Sequence, residues 1–198
     1  MDSWIKLISI IALSSCASID YLSDSSRKTV TISKEIIESP YAMQTIQFGY
    51  GVENIYLLSS SRNSIQTWFK GRDIIISSKE GKIIKTIGLK NDFEITSYKG
   101  YKELKESRGL IRFHNPDSNY MPIFFSYNLL KEGTMVKKID QSSFDYRLIE
   151  ESFSVPQVGW KGKNFYWVDE DNYVWMSKQI IDPFGNKVRS TTLKKYSD

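Results

Sequence analysis

Apolar and polar side chains alternate with a period of two along most of this chain, the spacing of strands that bury one face. Thr29-Val30-Thr31-Ile32 alternates as a short strand, and Ser33 then stands where it can cap a helical turn that turns Ile36 and Ile37 inward and stops before Pro40. Ile46 and Phe48 alternate with Thr45 and Gln47 as a half-buried strand. Beyond Gly49 the strand signals become regular: Ile55-Tyr56-Leu57-Leu58, Ile65-Gln66-Thr67-Trp68-Phe69, Ile74-Ile75-Ile76 and Ile83-Ile84-Lys85-Thr86-Ile87. The breaks between them, Ser61-Arg62-Asn63, Lys70-Gly71-Arg72 and Lys79-Glu80-Gly81-Lys82, carry turn chemistry, with glycine where positive φ is needed. Connections this short join only antiparallel neighbours. The pattern therefore predicts an antiparallel meander over residues 42–97.

Tyr101 to Ser107 is polar and rich in helix formers, which predicts a short helix or excursion. Strand patterns resume at Leu110-Ile111-Arg112-Phe113, Ile123-Phe124-Phe125, Met135-Val136 and Tyr146-Arg147-Leu148-Ile149. They finish with Phe165-Tyr166-Trp167-Val168, Tyr173-Val174-Trp175-Met176, Ile180-Ile181 and Val188 to Leu193, separated by Asp169-Glu170-Asp171-Asn172 and Pro183-Phe184-Gly185-Asn186. An aromatic content of 14% suits the same class, because aromatic side chains favour strands. The expected fold is mainly β: a single domain of antiparallel meander strands forming a large curved sheet or an open or closed β-barrel, with one or two short helices.

The first residues follow another plan. Lys6 precedes the short apolar run Leu7 to Leu13, which ends in Ser14-Ser15 and the chain's one cysteine, Cys16. The run is too short to span a bilayer, which takes about 20 apolar residues. Leu13-Ser14-Ser15-Cys16 resembles the bacterial lipobox, in which the thiol accepts a diacylglyceryl group. That resemblance implies a lipoprotein signal peptide at residues 1–15, lipidation of Cys16, a tether over residues 16–27 and a β-rich domain over residues 28–198. Acyl chains contribute about 0.8 kcal/mol per buried CH₂, so anchorage would come from lipid and not from the fold. Ala17, where an aspartate would stand for inner-membrane retention, resembles the sorting pattern of outer-membrane lipoproteins and implies the periplasmic face of that membrane. A lipidated Cys16 is no longer available for a disulfide, a thiolate nucleophile or a metal.

Charge and motifs narrow the chemistry. The net charge is +4, and basic residues are scattered without a long block, which gives nucleic-acid binding little support. His114 is the single histidine and follows Phe113 at a strand end, which places it in a loop or at an edge and limits histidine-dependent triads and metal sites to one imidazole. Asp169-Glu170-Asp171-Asn172 offers hard oxygen ligands but lacks the glycine and distal glutamate of a calcium loop, so a solvated hairpin turn is expected. Glu150 and Glu151 are adjacent and would face opposite sides of a strand, which prevents them from acting as a glycosidase pair. No catalytic residue, metal site or cofactor is expected. Among Trp68, Trp160, Trp167 and Trp175, Trp160 is the best placed for an exposed ring beside cations, since Gly159 and Lys161-Gly162-Lys163 flank it. Trp160, Lys161 and Lys163 are therefore possible ligand or partner contacts, against the competing reading that the ring packs and the lysines protect an edge.

Several stretches together resemble the YjbF/GfcB family of group 4 capsule and exopolysaccharide lipoproteins. They are Ile37-Glu38-Ser39-Pro40-Tyr41-Ala42, Trp68 with Ile74-Ile75-Ile76-Ser77, Gly81-Lys82-Ile83-Ile84-Lys85-Thr86-Ile87-Gly88-Leu89, Asn164-Phe165-Tyr166-Trp167-Val168-Asp169, Val174-Trp175-Met176-Ser177-Lys178-Gln179 and Lys194-Lys195-Tyr196. Ser39 stands where that family usually has leucine, and the likeness is weakest over residues 100–160. The resemblance implies a non-catalytic, lipid-anchored periplasmic accessory protein in the assembly or export of surface polysaccharide. Its implied partners are the membrane, envelope proteins and the polymer itself. A carrier or chaperone of amphiphiles is the alternative, and it requires an apolar cavity of roughly several hundred Å³.

Overall fold

The computed structural model describes residues 38–78, 80–99, 106–113, 118–136 and 143–195. Twelve strands make up the domain: β1 (Met43–Phe48), β2 (Asn54–Arg62), β3 (Ile65–Lys70), β4 (Asp73–Ser78), β5 (Ile83–Ile87), β6 (Phe93–Thr96), β7 (Glu106–Phe113), β8 (Met121–Val136), β9 (Ser143–Val155), β10 (Trp160–Val168), β11 (Val174–Ile180) and β12 (Lys187–Lys194). Each pairs antiparallel with its sequence neighbours, and β1 closes the ring against β12 through Thr45↔Thr191 to Phe48↔Val188. The result is a closed barrel, which removes the unpaired edges an open sheet would leave. Of the expected alternatives, curved sheet or barrel, the closed form is the one adopted.

Alternation places the core inside. In β6, Phe93 and Ile95 are buried, while Glu94 faces outward and binds Lys85 of β5 at 3.1 Å and Arg112 of β7 at 2.9 Å. Trp68, Tyr56, Ile46, Ile75, Ile111 and Ile123 point inward in the same way. At these strands the inward row is apolar and the outward neighbours of Glu94 are charged.

Twelve strands in a round section would leave a wide lumen, since about eight already enclose enough room for side chains to fill. Here the wall is pressed together instead. On β11, Gln179 donates from Nε2 to the Gly81 carbonyl at 2.8 Å and accepts the Ile83 backbone N–H at 3.0 Å, although β5 lies six strands away in either direction round the ring. Gly81 permits that approach. Its φ is +71°, and a Cβ there would lie 2.8 Å from Cβ of Val174 on the facing wall. Gly81→Val is therefore expected to lower stability by about 1–3 kcal/mol through overpacking, read as a lower urea midpoint at unchanged slope.

The connections alternate between two rims. The proximal rim is where the chain enters β1 at Met43 and leaves β12 at Lys194; the distal rim carries the loops at 49–53, 71–72, 88–92, 156–159 and 181–186. At the distal rim Asn91 Nδ2 reaches Asp182 Oδ2 at 3.3 Å, tying together loops from opposite sides of the ring.

Two sequence expectations need correction. Glu106 and Ser107, expected in a helix or excursion, open β7, because Glu106 to Ile111 pair with Ser126 to Met121. Ile123-Phe124-Phe125 and Met135-Val136, two separate patterns in the sequence, belong to one 16-residue strand. A bulge between Leu129 and Lys131 resets the register on β9, which lets pairing continue past the polar stretch. A 3-10 turn at Pro156–Val158 ends with Gly159 in the left-handed conformation. The strand expected at residues 29–32 and the turn begun by Ser33 fall outside the described residues, as do Cys16, the tether and His114.

Candidate functional site

The polar chemistry of the barrel converges on one buried carboxylate. Glu151 lies in β9 between Ile149 and Phe153, on the inward parity, and is 0% exposed. Its Oε1 accepts from Lys82 Nζ at 2.6 Å, Asn164 Nδ2 at 2.6 Å and Tyr166 Oη at 3.3 Å; its Oε2 accepts from Tyr98 Oη at 3.2 Å. Lys82, 4% exposed, comes from the β4–β5 turn and sets its ammonium over the rings of Phe125 and Phe153, at 5.1 and 5.6 Å. Quadrupole attraction from those rings adds to the carboxylate's charge in holding the cation.

Gln179 extends the network. Its amide also donates to Ser177 Oγ at 2.9 Å, and Ser177 Oγ lies 2.7 Å from Ser190 Oγ. Asn164 Oδ1 accepts the Ile180 N–H at 2.8 Å. The polar positions of Asn164-Phe165-Tyr166 and of Ser177-Lys178-Gln179 thus share one task, fastening β5, β9, β10 and β11 across the lumen.

This arrangement closes a site more than it opens one. Two donors to Glu151, Asn164 and Tyr166, come from β10, while Lys82 comes from the β4–β5 turn and Tyr98 from the β6–β7 connection. The cavity beside it, lined by residues including Lys82, Ile95, Phe153, Trp160 and Gln179, measures about 10 Å³, the scale of one water. A carboxylate held by four donors beside such a space has no room for a substrate.

Burial also governs the tyrosines. Desolvation pushes the Tyr56 phenol up to about 12, with the nearby Asp73 charge acting in the same direction. Tyr98 is raised well above its ordinary value by burial first and by Glu151 second, and Tyr173 is raised mainly by burial. A raised phenol pKa favours the fold fully below the unfolded value of about 10, and that contribution is lost as pH climbs through the folded values. Alkaline titration is therefore expected to produce phenolate absorbance from these rings together with loss of the β-sheet circular dichroism signal. Complete titration near pH 10 with the sheet intact would contradict it.

The residues singled out in the sequence are distributed as follows. Trp160 is not an exposed ring: it is 7% exposed, inside the barrel, 4.7 Å from the Phe153 ring and 5.6 Å from that of Phe113. The physical reason is parity, since Trp160 alternates inward with Gly162, Asn164 and Tyr166. Lys161 points outward and is exposed, and Lys163 pairs with Glu150 Oε1 at 2.9 Å on the outer face. Glu150 and Glu151 lie on opposite faces, as expected. Trp68 is buried with its Nε1 donating to Ser77 Oγ at 3.2 Å, and Trp167 is buried beneath the Lys178 ammonium. Trp175 is half-buried, with Nε1 bonded to Asp169 Oδ2 at 2.9 Å and rings from Phe144 and Tyr173 against it. Asp169 also caps its own turn through the Tyr173 N–H at 2.8 Å, so the acidic run is the hairpin turn expected of it.

The Lys82–Glu151 pair was missed in the sequence, where Lys82 read as a turn residue. One signal for Glu151 was present: it holds the same parity as Phe153 and Val155, and a charge in an inward row needs a buried partner. Nothing local identifies Lys82 as that partner, 69 residues away.

Comparison with known proteins adds to this geometry. The chain resembles the uncharacterized lipoprotein YjbF of Escherichia coli (strain K12), with 21% identity over 172 residues, 81% of this chain and 78% of the relative. Among solved structures, the hypothetical lipoprotein YmcC from Escherichia coli (K12) superposes with a TM-score of 0.68 at 16% identity, covering 79% of this chain and 88% of that one. That likeness shows a shared fold. A putative lipoprotein from Parabacteroides distasonis ATCC 8503 aligns with a TM-score of 0.37 at 9% identity, over 78% of this chain and 93% of its own. The family model described as group 4 capsule polysaccharide lipoprotein GfcB, YjbF matches residues 17–193, nearly the whole length beyond the apolar leader, and the chain belongs to that family.

Proposed function

We propose that this chain is a lipid-anchored accessory protein on the periplasmic face of the outer membrane, serving the assembly or export of capsule or exopolysaccharide without catalysing a reaction. The observation that carries the reading is the family match over residues 17–193. Cys16 at the end of a lipobox-like leader supplies the anchor, and Ala17 after it favours the outer membrane. The filled lumen supports a scaffold that works through its outer surface, by binding envelope proteins or polymer. It counts against the amphiphile carrier, because the space beside Lys82 is more than an order of magnitude below an acyl-chain pocket of roughly several hundred Å³.

Deleting the gene is expected to abolish surface polysaccharide and leave cytoplasmic sugar-nucleotide pools unchanged, with restoration by the intact chain and poor restoration by Cys16→Ser. Normal surface polymer in the deletion strain would refute the reading.

A further inference from the structure

The distal rim carries an outward chemistry unlike that of the rest of the barrel. Following the ring, the β9–β10 connection leads into Lys161, the β11–β12 turn presents Phe184, the β1–β2 turn presents Tyr50 and Val52, the β3–β4 turn presents Lys70 and Arg72, and the β5–β6 loop presents Lys90. Phe184, Tyr50 and Val52 are 81%, 94% and 80% exposed, and the three lysines and the arginine are all exposed. These five connections are consecutive round the ring, so an apolar centre is flanked by cations on both sides.

Among the described residues, the acids of these five connections do not answer those cations at the surface. Asp92 spends both carboxylate oxygens on the Gly88 and Leu89 N–H groups, at 2.9 and 3.1 Å. Asp182, 1% exposed, accepts the Phe184 and Asn186 N–H groups, each at 3.0 Å. Glu53 accepts the Thr45 hydroxyl, and Lys70 binds the neutral amide of Asn54. Glu53, Asp73, Asp92 and Asp182 are all less than fully exposed, and among the described residues of these loops no acid stands out in solvent. The proximal rim differs, with Glu170 and Asp171 both exposed in its β10–β11 turn.

We propose that the distal rim is a binding face for an anionic polysaccharide. Projecting cations meet carboxylate or phosphate groups on the polymer, and the exposed Tyr50 and Phe184 rings offer flat apolar faces to the C–H faces of sugar rings between them. The rim lies at the opposite end of the barrel from the point where the chain enters β1 at Met43. The assignment rests on the polysaccharide reading above and adds to it the place of contact and the charge class of the polymer.

Affinity electrophoresis of the full chain in detergent, through gels containing polygalacturonate or neutral dextran, tests it. Polygalacturonate is expected to retard the wild type, and dextran is not. Lys70→Ser/Arg72→Ser and Tyr50→Ser/Phe184→Ser, all at exposed positions in the loops or, for Lys70, at the strand end beside one, are each expected to weaken retardation about tenfold, the equivalent of about 1.4 kcal/mol, without lowering the melting temperature. Unchanged retardation in both variants, no retardation of the wild type, or equal retardation by dextran overturns the proposal. So does loss of binding to phosphatidylglycerol vesicles in the same variants with polygalacturonate binding intact, which would assign the rim to a membrane. In cells, normal surface polymer from the Tyr50→Ser/Phe184→Ser strain, where the deletion strain has none, would sink the rim and leave the accessory function standing. Normal polymer in the deletion strain would sink the function itself.

Discussion

Glu151→Leu is expected to cost the barrel about 3–5 kcal/mol, because it strands the Lys82 ammonium in the interior with no opposite charge. Asn164, Tyr166 and Tyr98 would lose their acceptor at the same time, and unsatisfied buried donors add to the penalty. For a domain of this size, a loss of that order corresponds to a melting temperature lower by about 6–20 °C, at about 2–4 °C per kcal/mol. The companion variant separates charge from packing. Lys82→Met/Glu151→Leu removes both ions, and the rings of Phe125 and Phe153 that now hold the ammonium are good neighbours for a thioether. The double variant is expected to recover most of the loss, since a buried pair replaced by apolar groups of similar volume is often neutral. Thermal unfolding of the three proteins measures the coupling directly. A double variant as unstable as Glu151→Leu alone would show that the neutral donors, and not the ion pair, dominate.

Trp160→Ala is expected to cost about 3–5 kcal/mol, the range for removing a large aromatic from a well-packed core. The ring sits between Phe153 and Phe113 and borders the small cavity beside Lys82, so its loss opens space where the two walls meet. Its neighbour Lys161 points the other way, and Lys161→Ala is expected to change stability by about 0.5 kcal/mol or less. Urea midpoints at unchanged slope would read both effects. A Trp160→Ala protein as stable as the parent would return this ring to the surface and revive it as a ligand contact.

The contrast between these adjacent residues shows how much was legible in the sequence. Alternation located most strands, because a period of two is a local property: Ile74-Ile75-Ile76 lies in β4, Phe165 to Val168 in β10 and Val188 to Leu193 in β12. Turn glycines at 71 and 81 marked their hairpins for the same reason, and both have positive φ. Closure of the ring was left open, since it depends on β1 finding β12 across nearly the whole chain. Flattening was not legible at all. It rests on Gln179 meeting Gly81 and Ile83, and on Lys82 meeting Glu151, contacts 98, 96 and 69 residues apart with no local signature. Between a projecting and a packed Trp160 the sequence left both readings open, because its lysine and glycine neighbours look solvent-exposed; in the strand the lysines occupy the other face and Gly162 fits beneath Phe153. The distal rim escaped notice because its members are spread over five loops that only the closed ring makes neighbours.

Anchorage is the claim on which location and role both depend, and intact-mass spectrometry of the full chain purified from bacterial membranes tests it most directly. The account requires a polypeptide beginning at Cys16 and carrying diacylglyceryl and N-acyl mass, with Cys16→Ser remaining uncleaved and free of lipid. A wild-type chain that begins at Met1 without fatty modification would contradict it.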